Sequence, residues 1–162
     1  DGETLQRATE ILNHLHCPFI INQNRYSIFD RGIEENGLKE TAAQLGKGII
    51  AFSPLAQGML TNRYLNGIPQ DSRIRTDGRF LQENALTKER LSQINDLNNL
   101  AKQRGQTLAE MSLAWILHDG IVTSVLAGAS RPEQILDNIQ SIHNIFFTPE
   151  EITLIDHICQ LL

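Results

Sequence analysis

An α/β fold with a parallel sheet, forming the last part of a (β/α)8 barrel, is what this sequence predicts, on three observations. Ile49-Ile50-Ala51-Phe52 is a short apolar run that stops at Ser53-Pro54 and opens into Leu55-Ala56-Gln57-Gly58, the pattern of a strand emptying into a ligand-binding loop. Thr123-Ser124-Val125-Leu126-Ala127 repeats the design and delivers Gly128-Ala129-Ser130-Arg131-Pro132 onto the start of a helix. Around them the order reads helix, strand, helix, strand, helix, helix, strand, helix, helix, an alternation that implies parallel strands with right-handed crossovers. Three strands under this many helices fit part of an eight-stranded barrel better than a complete doubly wound sheet. Such a barrel places its phosphate site on the loops after its last two strands and at the N-terminus of a short helix.

Each element has its own signal. Leu5, Ala8, Ile11, Leu12 and Leu15 recur at helical spacing, so residues 3–15 read as an amphipathic helix that Pro18 ends. Phe19-Ile20-Ile21-Asn22-Gln23 reads as a short buried strand with polar residues at its end, and Gly32 to Gly37 as a loop. Leu38, Ala42 and Leu45 mark a second helix, stopped at Gly46, before the strand at 49–52. The polar segment from Gly58 to Asn84 carries Gly67, Pro69 and Gly78, and Arg73, Arg75 and Arg79 among its arginines; loops of that length are usually functional. Leu91, Ile94, Leu97 and Leu100 stripe a helix ending at Gly105. Three capping boxes, Thr107-x-x-Glu110, Ser130-x-x-Glu133 and Thr148-x-x-Glu151, predict helices beginning near 108, 131 and 149, with Pro149 at a first helical position. The strand at 123–127 lies between the first two of these helices.

Composition narrows the function classes. The chain has 162 residues, 41% hydrophobic and 20% charged, which suits one globular domain with a sizeable core. A net charge of −5 argues against nucleic acid or an anionic membrane as a partner. No apolar run approaches the roughly 18 residues of a membrane span. The start, Asp1-Gly2-Glu3-Thr4, shows no basic-then-apolar signal pattern and no initiator Met, so a processed chain, or a piece of something longer, is expected. Two cysteines at opposite ends, Cys17 and Cys159, make no disulfide framework, and a reducing cytoplasmic location is the expectation. His14, His16 and Cys17 offer metal-ligand chemistry without a second cluster to complete a site, so no metal is expected.

The residues that carry chemistry sit at strand ends. A helix N-terminus offers unpaired N–H groups and a positive dipole end, so Gly128-Ala129-Ser130-Arg131 suits an anion. Gly128 permits close backbone approach and Arg131 a bidentate grip on a phosphate. On spacing alone Ser130 reads equally as a plain helix cap, and Arg131 as a solvated surface charge. Gln134 and Asn138 lie on one helix face with Arg131, and Asp137 is close to it. Phe52 reads either as core or as a flat surface on which an aromatic ring stacks. Gln23 is either an amide bonded to a neighbouring loop or a partner for a carboxamide ligand. No nucleophile–base pair stands out. His118, His143 and His157 fall on helices or helix ends, and Lys39, Lys47, Lys88 and Lys102 lie in helices or away from the strand C-termini. No general acid is expected from this chain.

Four ordered motifs then place the chain. Asn22-Gln23-Asn24-Arg25-Tyr26-Ser27-Ile28-Phe29-Asp30-Arg31, Phe52-Ser53-Pro54-Leu55-Ala56-Gln57-Gly58, Leu65-Asn66-Gly67-Ile68-Pro69 and Gly128-Ala129-Ser130-Arg131-Pro132-Glu133-Gln134 resemble the C-terminal half of the aldo-keto reductases, nearest the branch of L-glyceraldehyde 3-phosphate reductases and potassium-channel β subunits. The resemblance runs from the first helix to about Ile158. It implies an NADPH-dependent (β/α)8 oxidoreductase that reduces aldehydes and ketones. It also implies that residues 1–162 are the C-terminal half-barrel of a single domain whose catalytic half is absent. By the same resemblance Gln23 holds the nicotinamide carboxamide and Phe52 stacks on its ring. Ser53, Pro54, Leu55 and Gly58 line the pyrophosphate, with Gly128 on the second strand–helix turn, and Arg63 and Arg73 close over the cofactor. Ser130 and Arg131 grip the 2′-phosphate of the adenosine ribose, and Gln134, Asp137 and Asn138 surround the adenosine. Asp137 stands where family members usually have glutamate, and Arg63 where lysine is common.

The family's catalytic Asp, Tyr, Lys and His or Asn come from the first half of the barrel, which nothing here matches, so no residue is assigned as catalytic and the chain alone is expected to be inactive. Its implied partners are a small carbonyl substrate of the parent enzyme, and either the missing half or a second copy to cover the open side. A non-catalytic nucleotide-binding or regulatory half-barrel, and an inert fragment, are the competing readings.

Overall fold

Three parallel strands, β1 (Ile21–Arg25), β2 (Gly48–Phe52) and β3 (Val122–Leu126), pair in the order β1-β2-β3. The structure is a computed structural model and describes residues 1–65, 67–68 and 85–160. Seven helices accompany the strands among those residues: α1 (Gly2–His14), α2 (Gly32–Glu35), α3 (Leu38–Gln44), α4 (Lys88–Gln103), α5 (Leu108–Leu117), α6 (Pro132–Gln140) and α7 (Pro149–Ile158). The fold is part of a (β/α)8 barrel, an open sheet with its helices on one face. Side chains alternate along a strand, so residues paired across parallel strands share a face. Ile49 and Ala51 are fully buried against the helices. The opposite face carries Gln23 beside Ile50 and Ser124, and, one layer nearer the strand C-termini, Arg25 beside Phe52 and Leu126.

Several sequence expectations shift. The first strand spans 21–25 rather than 19–23. Ladder pairing begins at Ile21↔Gly48, and Ile20 is 79% exposed, so the apolar run Phe19-Ile20-Ile21 marks the approach to the strand, not the strand itself. Polar residues are tolerated because β1 has one neighbour among the described residues and bonds them locally: Asn22 Nδ2 donates to the Gly48 carbonyl at 2.9 Å, and Asn24 Nδ2 to Asn22 Oδ1. The third strand spans 122–126 rather than 123–127. The first helix ends at His14, four residues before Pro18, because His16 takes a positive φ of 53° and the amides of His16 and Cys17 bond back to Asn13 and Leu12. Gly32–Glu35 forms a helical turn where a loop was expected.

The helix starts follow their caps. Asp1 accepts from Thr4 N at 2.8 Å. Thr87 Oγ1 accepts from Arg90 N at 3.1 Å. The boxes at Thr107–Glu110 and Thr148–Glu151 are both closed, with Thr107 N donating to Glu110 Oε2 at 2.8 Å and Thr148 N to Glu151 Oε2 at 2.9 Å. Gly2 lets α1 approach α3 closely: a Cβ there would stand 2.5 Å from Thr41 Oγ1 and 2.8 Å from the Gly37 carbonyl oxygen.

Trp115 centres the core. Tyr26 packs on it at 5.3 Å between ring centroids, and the Arg31 guanidinium lies 4.4 Å above its ring. Beneath them a polar cluster gathers around the buried Tyr26 and Lys39. Lys39 Nζ donates to Tyr26 Oη at 2.9 Å and pairs with Glu34 at 3.2 Å and Asp119 at 2.8 Å, while Tyr26 Oη donates to Glu34 Oε1. Arg31 reaches Asp156 on α7 at 2.6 Å. The two sheet edges are different in character. Ile11, Leu15 and Ile20 are exposed on the β1 side, and Leu126, Ile135, Leu136, Ile139 and Ile142 on the β3 side, where no residue of α6 is buried.

Candidate functional site

The loop after β2 is built on left-handed backbone. Ser53 (φ 53°), Ala56 (φ 47°), Gln57 (φ 59°) and Gly58 (φ 92°) all have positive φ, and only the last is glycine. Each non-glycine residue in that region costs roughly 1–2 kcal/mol. The loop is held by bonds that over-determine it: Ala56 N to the Ser53 carbonyl at 3.0 Å, Gly58 N to Leu55 at 2.9 Å, Leu60 N to Leu55 at 3.2 Å, Gln57 Nε2 to Ser53 Oγ at 3.1 Å and Thr61 Oγ1 to Gly58 at 2.7 Å. Strain retained in this way concentrates at ligand clamps.

Three cavities run in a row over the C-terminal ends of β2 and β3. The first, about 710 Å³, is walled by Phe52 and Ser53 together with Arg25, Phe29 and Met59. The second, about 270 Å³, lies between Ser53, Pro54, Leu55 and Gly58 on one loop and Leu126, Ala127 and Gly128 on the other. The third, about 240 Å³, is lined by Leu55, Gly128, Arg131, Gln134, Asp137 and Asn138, with Thr61 and Thr107 behind them. Ser53 and Gln57 join the first to the second; Leu55 and Gly128 join the second to the third. The three cavities therefore lie side by side as one row, with a half-buried aromatic ring at one end and a guanidinium at the other. A Cβ on Gly128 would meet no atom within 4 Å, so open space lies above that turn.

The capping expected at Ser130–Glu133 is absent, and Gln134 takes the role. Its Oε1 accepts from Ser130 N at 2.9 Å, Ser130 Oγ at 3.2 Å and Arg131 N at 3.2 Å. Arg131, in extended backbone, is the residue before the first helical turn, and Pro132 starts α6. Proline's fixed φ pre-organises that first turn, which leaves the amide donors just ahead of it to find a side-chain acceptor. No carboxylate pairs with the Arg131 guanidinium among the described residues.

Not every expected residue joins the groove. Gln23 is exposed rather than buried; it faces the same way as Phe52 but two residues nearer the strand's start, and it lines a separate hollow of about 330 Å³ between α1 and β1. Arg63 sits in the 3-10 turn Asn62–Tyr64, where its amide donates to Thr61 Oγ1 at 3.2 Å; its neighbours Thr61 and Asn62, not Arg63, line the third cavity. Ser130 is exposed beside the groove. Arg73, with Arg75 and Arg79, lies outside the described residues.

Among the described residues no tyrosine and no lysine lines the three cavities. The chain's two tyrosines, Tyr26 and Tyr64, are both buried. Tyr26 does stand beside a lysine, a pairing that sequence spacing did not reveal because Lys39 arrives from α3. Burial, then the hydrogen bond and charge of Glu34, nevertheless push the Tyr26 phenol far above its ordinary value, so it holds its proton. Asp119 goes the other way: burial raises its carboxyl, but the Lys39 hydrogen bond, the Ile121 amide and the Lys39 charge outweigh it and hold the group below the usual range. Burial pushes the Cys159 thiol up to about 11, against the lowering charges of Arg31 and Arg90. Cys17 and Cys159 are both free thiols. Among the described residues no group of three metal-ligating side chains gathers, and no helix is long and apolar enough to cross a membrane.

The model of the Aldo/keto reductase family matches residues 2–160. The chain is 45% identical over 157 residues to the L-glyceraldehyde 3-phosphate reductase of Escherichia coli O157:H7, covering 95% of this chain and 45% of that protein. It is 34% identical over 143 residues to a protein of Schizosaccharomyces pombe named as a voltage-gated potassium channel subunit beta, covering 86% of this chain and 42% of the other. Among solved structures, a glycerol dehydrogenase from Gluconobacter oxydans superposes with a TM-score of 0.68 at 24% identity, over 85% of this chain and 41% of that one. A thermostable aldo-keto reductase bound to the inhibitor epalrestat superposes with a TM-score of 0.64 at 24% identity, over 92% of this chain and 43% of the other. The chain spans less than half the length of the curated relatives it matches.

Proposed function

Because the chain belongs to the aldo/keto reductase family, we propose that it supplies the cofactor-binding half of an NADPH-dependent carbonyl reductase acting on small aldehydes and ketones. The observation that carries this reading is the row of adjoining cavities from Phe52 to Arg131 over the strand C-termini. The residues fit a phosphorylated dinucleotide. Among the described residues Arg131 has no acidic partner, which leaves its fork for a 2′-phosphate, with Ser130 beside it. Gln134, Asp137 and Asn138 wall the adenosine end. Ser53, Pro54, Leu55, Gly58 and Gly128 frame the narrow middle, where open space above Gly128 admits a pyrophosphate. Phe52 offers a ring face at the far end, and Gln23, on the same face of the sheet but outside the row of cavities, keeps the carboxamide role that the family resemblance gives it. Arg63 and Arg73 keep the cofactor contacts that the family resemblance gives them, Arg73 lying outside the described residues.

When bound, NADPH supplies a hydride to the substrate carbonyl carbon. What this chain does is bind, orient and strip water from that cofactor. The proton for the carbonyl oxygen comes from elsewhere: Tyr26 is buried and holds its proton, and no other tyrosine faces the groove. On this reading residues 1–162 are one half of a single barrel domain, whose N-terminal half contributes the acid and covers the open side of the sheet. The same two buried tyrosines favour a second reading, a non-catalytic nucleotide-binding half-barrel. Titration of the chain with NADPH, followed by nicotinamide fluorescence, tests the shared premise, and saturable binding is expected. Turnover of an aldehyde by the chain alone would overturn the assignment of the acid to another segment; turnover appearing only when the N-terminal half of the relative is added would support the reductase reading over the non-catalytic one.

A further inference from the structure

One side-chain oxygen fills the place that an anion is proposed to take. Gln134 Oε1 accepts from Ser130 N at 2.9 Å, from Ser130 Oγ at 3.2 Å and from Arg131 N at 3.2 Å. These are the donors just ahead of α6, and Pro132, next in the chain, has no N–H to add to them. Ser130 has a single hydroxyl hydrogen, and here it is spent on Gln134. Three donors also exceed what the oxygen can serve, because an amide carbonyl has two lone pairs. A phosphate group brings three acceptor oxygens and a charge, so it satisfies the same donors with more and stronger bonds. Gln134 is half-buried while Arg131, Pro132, Glu133, Ile135 and Leu136 around it are exposed, so its amide turns back over the loop rather than out into water. It lines the cavity of about 240 Å³ together with Gly128, Arg131 and Asn138.

We propose that Gln134 is an internal competitor of the 2′-phosphate and thereby a determinant of cofactor choice: its carbonyl oxygen holds the Ser130 and Arg131 donors until an oxyanion displaces it. This role rests on the reading of the Arg131 end as a nucleotide site and adds what controls entry to it. A 2′-phosphate exchanges neutral hydrogen bonds for charge-assisted ones and gains the Arg131 guanidinium, so it drives the amide out. A 2′-hydroxyl carries no charge and brings one oxygen, so it gains nothing by the exchange and leaves Gln134 in place. Displaced, the amide stays on the helix face it shares with Asn138, where the adenosine is proposed to lie. The competitor therefore tempers the preference for the phosphorylated dinucleotide. It also eases release, since the donors are satisfied again as the phosphate leaves.

Two ligands that differ only by the 2′-phosphate isolate this effect. Adenosine 5′-monophosphate and adenosine 2′,5′-bisphosphate are titrated into the chain and its variants, and the ratio of their Kd values cancels any change in how residue 134 meets the adenosine. Gln134→Met keeps the length of the side chain and removes the acceptor; it is expected to raise the preference for the 2′-phosphate about 3- to 10-fold. Gln134→Glu puts a carboxylate on the same donors and is expected to lower it about 10- to 100-fold. A residue that only caps the helix gives the opposite sign for Gln134→Met, because the loosened turn then presents its donors less well. An unchanged or lowered preference in that variant overturns the competitor. In a second measurement inorganic phosphate is titrated while the backbone amide resonances of Ser130 and Arg131 are followed by NMR, with chloride at equal ionic strength as the control. Those resonances are expected to saturate at about 3- to 10-fold lower phosphate in Gln134→Met than in the wild type. Equal midpoints, or a response no larger than that to chloride in both proteins, overturn the competitor whatever the nucleotides do. If neither nucleotide binds any of the proteins, the nucleotide reading falls, while the phosphate titration still decides the role of Gln134.

Discussion

Lys39 holds together groups that come from four places in the chain: Tyr26 after β1, Glu34 on α2, Asp119 before β3, and its own helix α3. Removing the lysine strips both carboxylates of that partner; in a fully buried pair that costs about 3–5 kcal/mol, and here water offsets part of it because the Glu34 and Asp119 side chains are 30% and 26% exposed. Lys39→Met is therefore expected to lower the stability of the chain by about 1–3 kcal/mol, read by urea denaturation. The pH dependence follows from Asp119. Its folded value is depressed, so its contribution is present above the ordinary carboxylate value near 4 and is lost as pH falls through the lower folded value. Acid denaturation of the wild type should show this loss below about pH 4, and the Lys39→Met variant should show less of it; identical acid limbs would remove Lys39 from the account. At the other end of the groove, Arg131→Ala is expected to weaken NADPH binding by about 10- to 100-fold and to leave NADH nearly unchanged, because the 2′-phosphate alone distinguishes them. Equal losses for both in a fluorescence titration would assign Arg131 another role.

At the level of elements, the loop after β2 is where conformation and binding meet. Gly58 has φ 92°, and a Cβ there would lie 3.7 Å from Tyr64 Cε2, so the space is adequate and the backbone is not. Gly58→Ala should cost about 1–2 kcal/mol in thermal or chemical unfolding and weaken the cofactor further by shifting the loop. An equally stable Gly58→Ala protein would show that the loop adjusts freely. This loop also shows what was legible beforehand. The run Ile49–Phe52 stopping at Ser53-Pro54 announced the strand and its exit, and Thr107–Glu110 and Thr148–Glu151 announced two helix starts, because those signals are local. The positive φ at Ser53, Ala56 and Gln57 was not legible, since none is glycine and the conformation is imposed by bonds to residues several positions away. The cap of α6 was misread for a related reason: Ser130 and Glu133 match the pattern, but Pro132 starts the helix one residue later and brings Gln134, not Glu133, into the third helical position. The Tyr26–Lys39 pair and the Arg25–Phe52 juxtaposition depend on packing and register, which periodicity alone does not supply.

For the molecule as a whole, the sheet's two outer strands decide its behaviour in solution. β1 and β3 each have one strand partner among the described residues, and exposed parallel edges template pairing with another chain. The apolar side chains beside them strengthen that tendency. Ile135, Leu136 and Ile139 on α6 are 51%, 63% and 49% exposed, and all three lie within one turn and a half of an otherwise polar helix. Contiguous apolar surface of this kind marks an interaction face, and in the proposed parent it meets the missing half of the barrel. Alone, the chain is expected to bind a hydrophobic dye such as ANS. It is also expected to sediment above its 18.2 kDa monomer mass at tens of micromolar, in a manner that salt does not reverse. Replacing Ile135 and Ile139 with lysine should reduce both signals without unfolding the protein, because neither side chain contributes to the core. A sharp monomer that ignores the dye would mean that these edges are self-sufficient, and it would remove the main reason for expecting a second polypeptide segment over the open face.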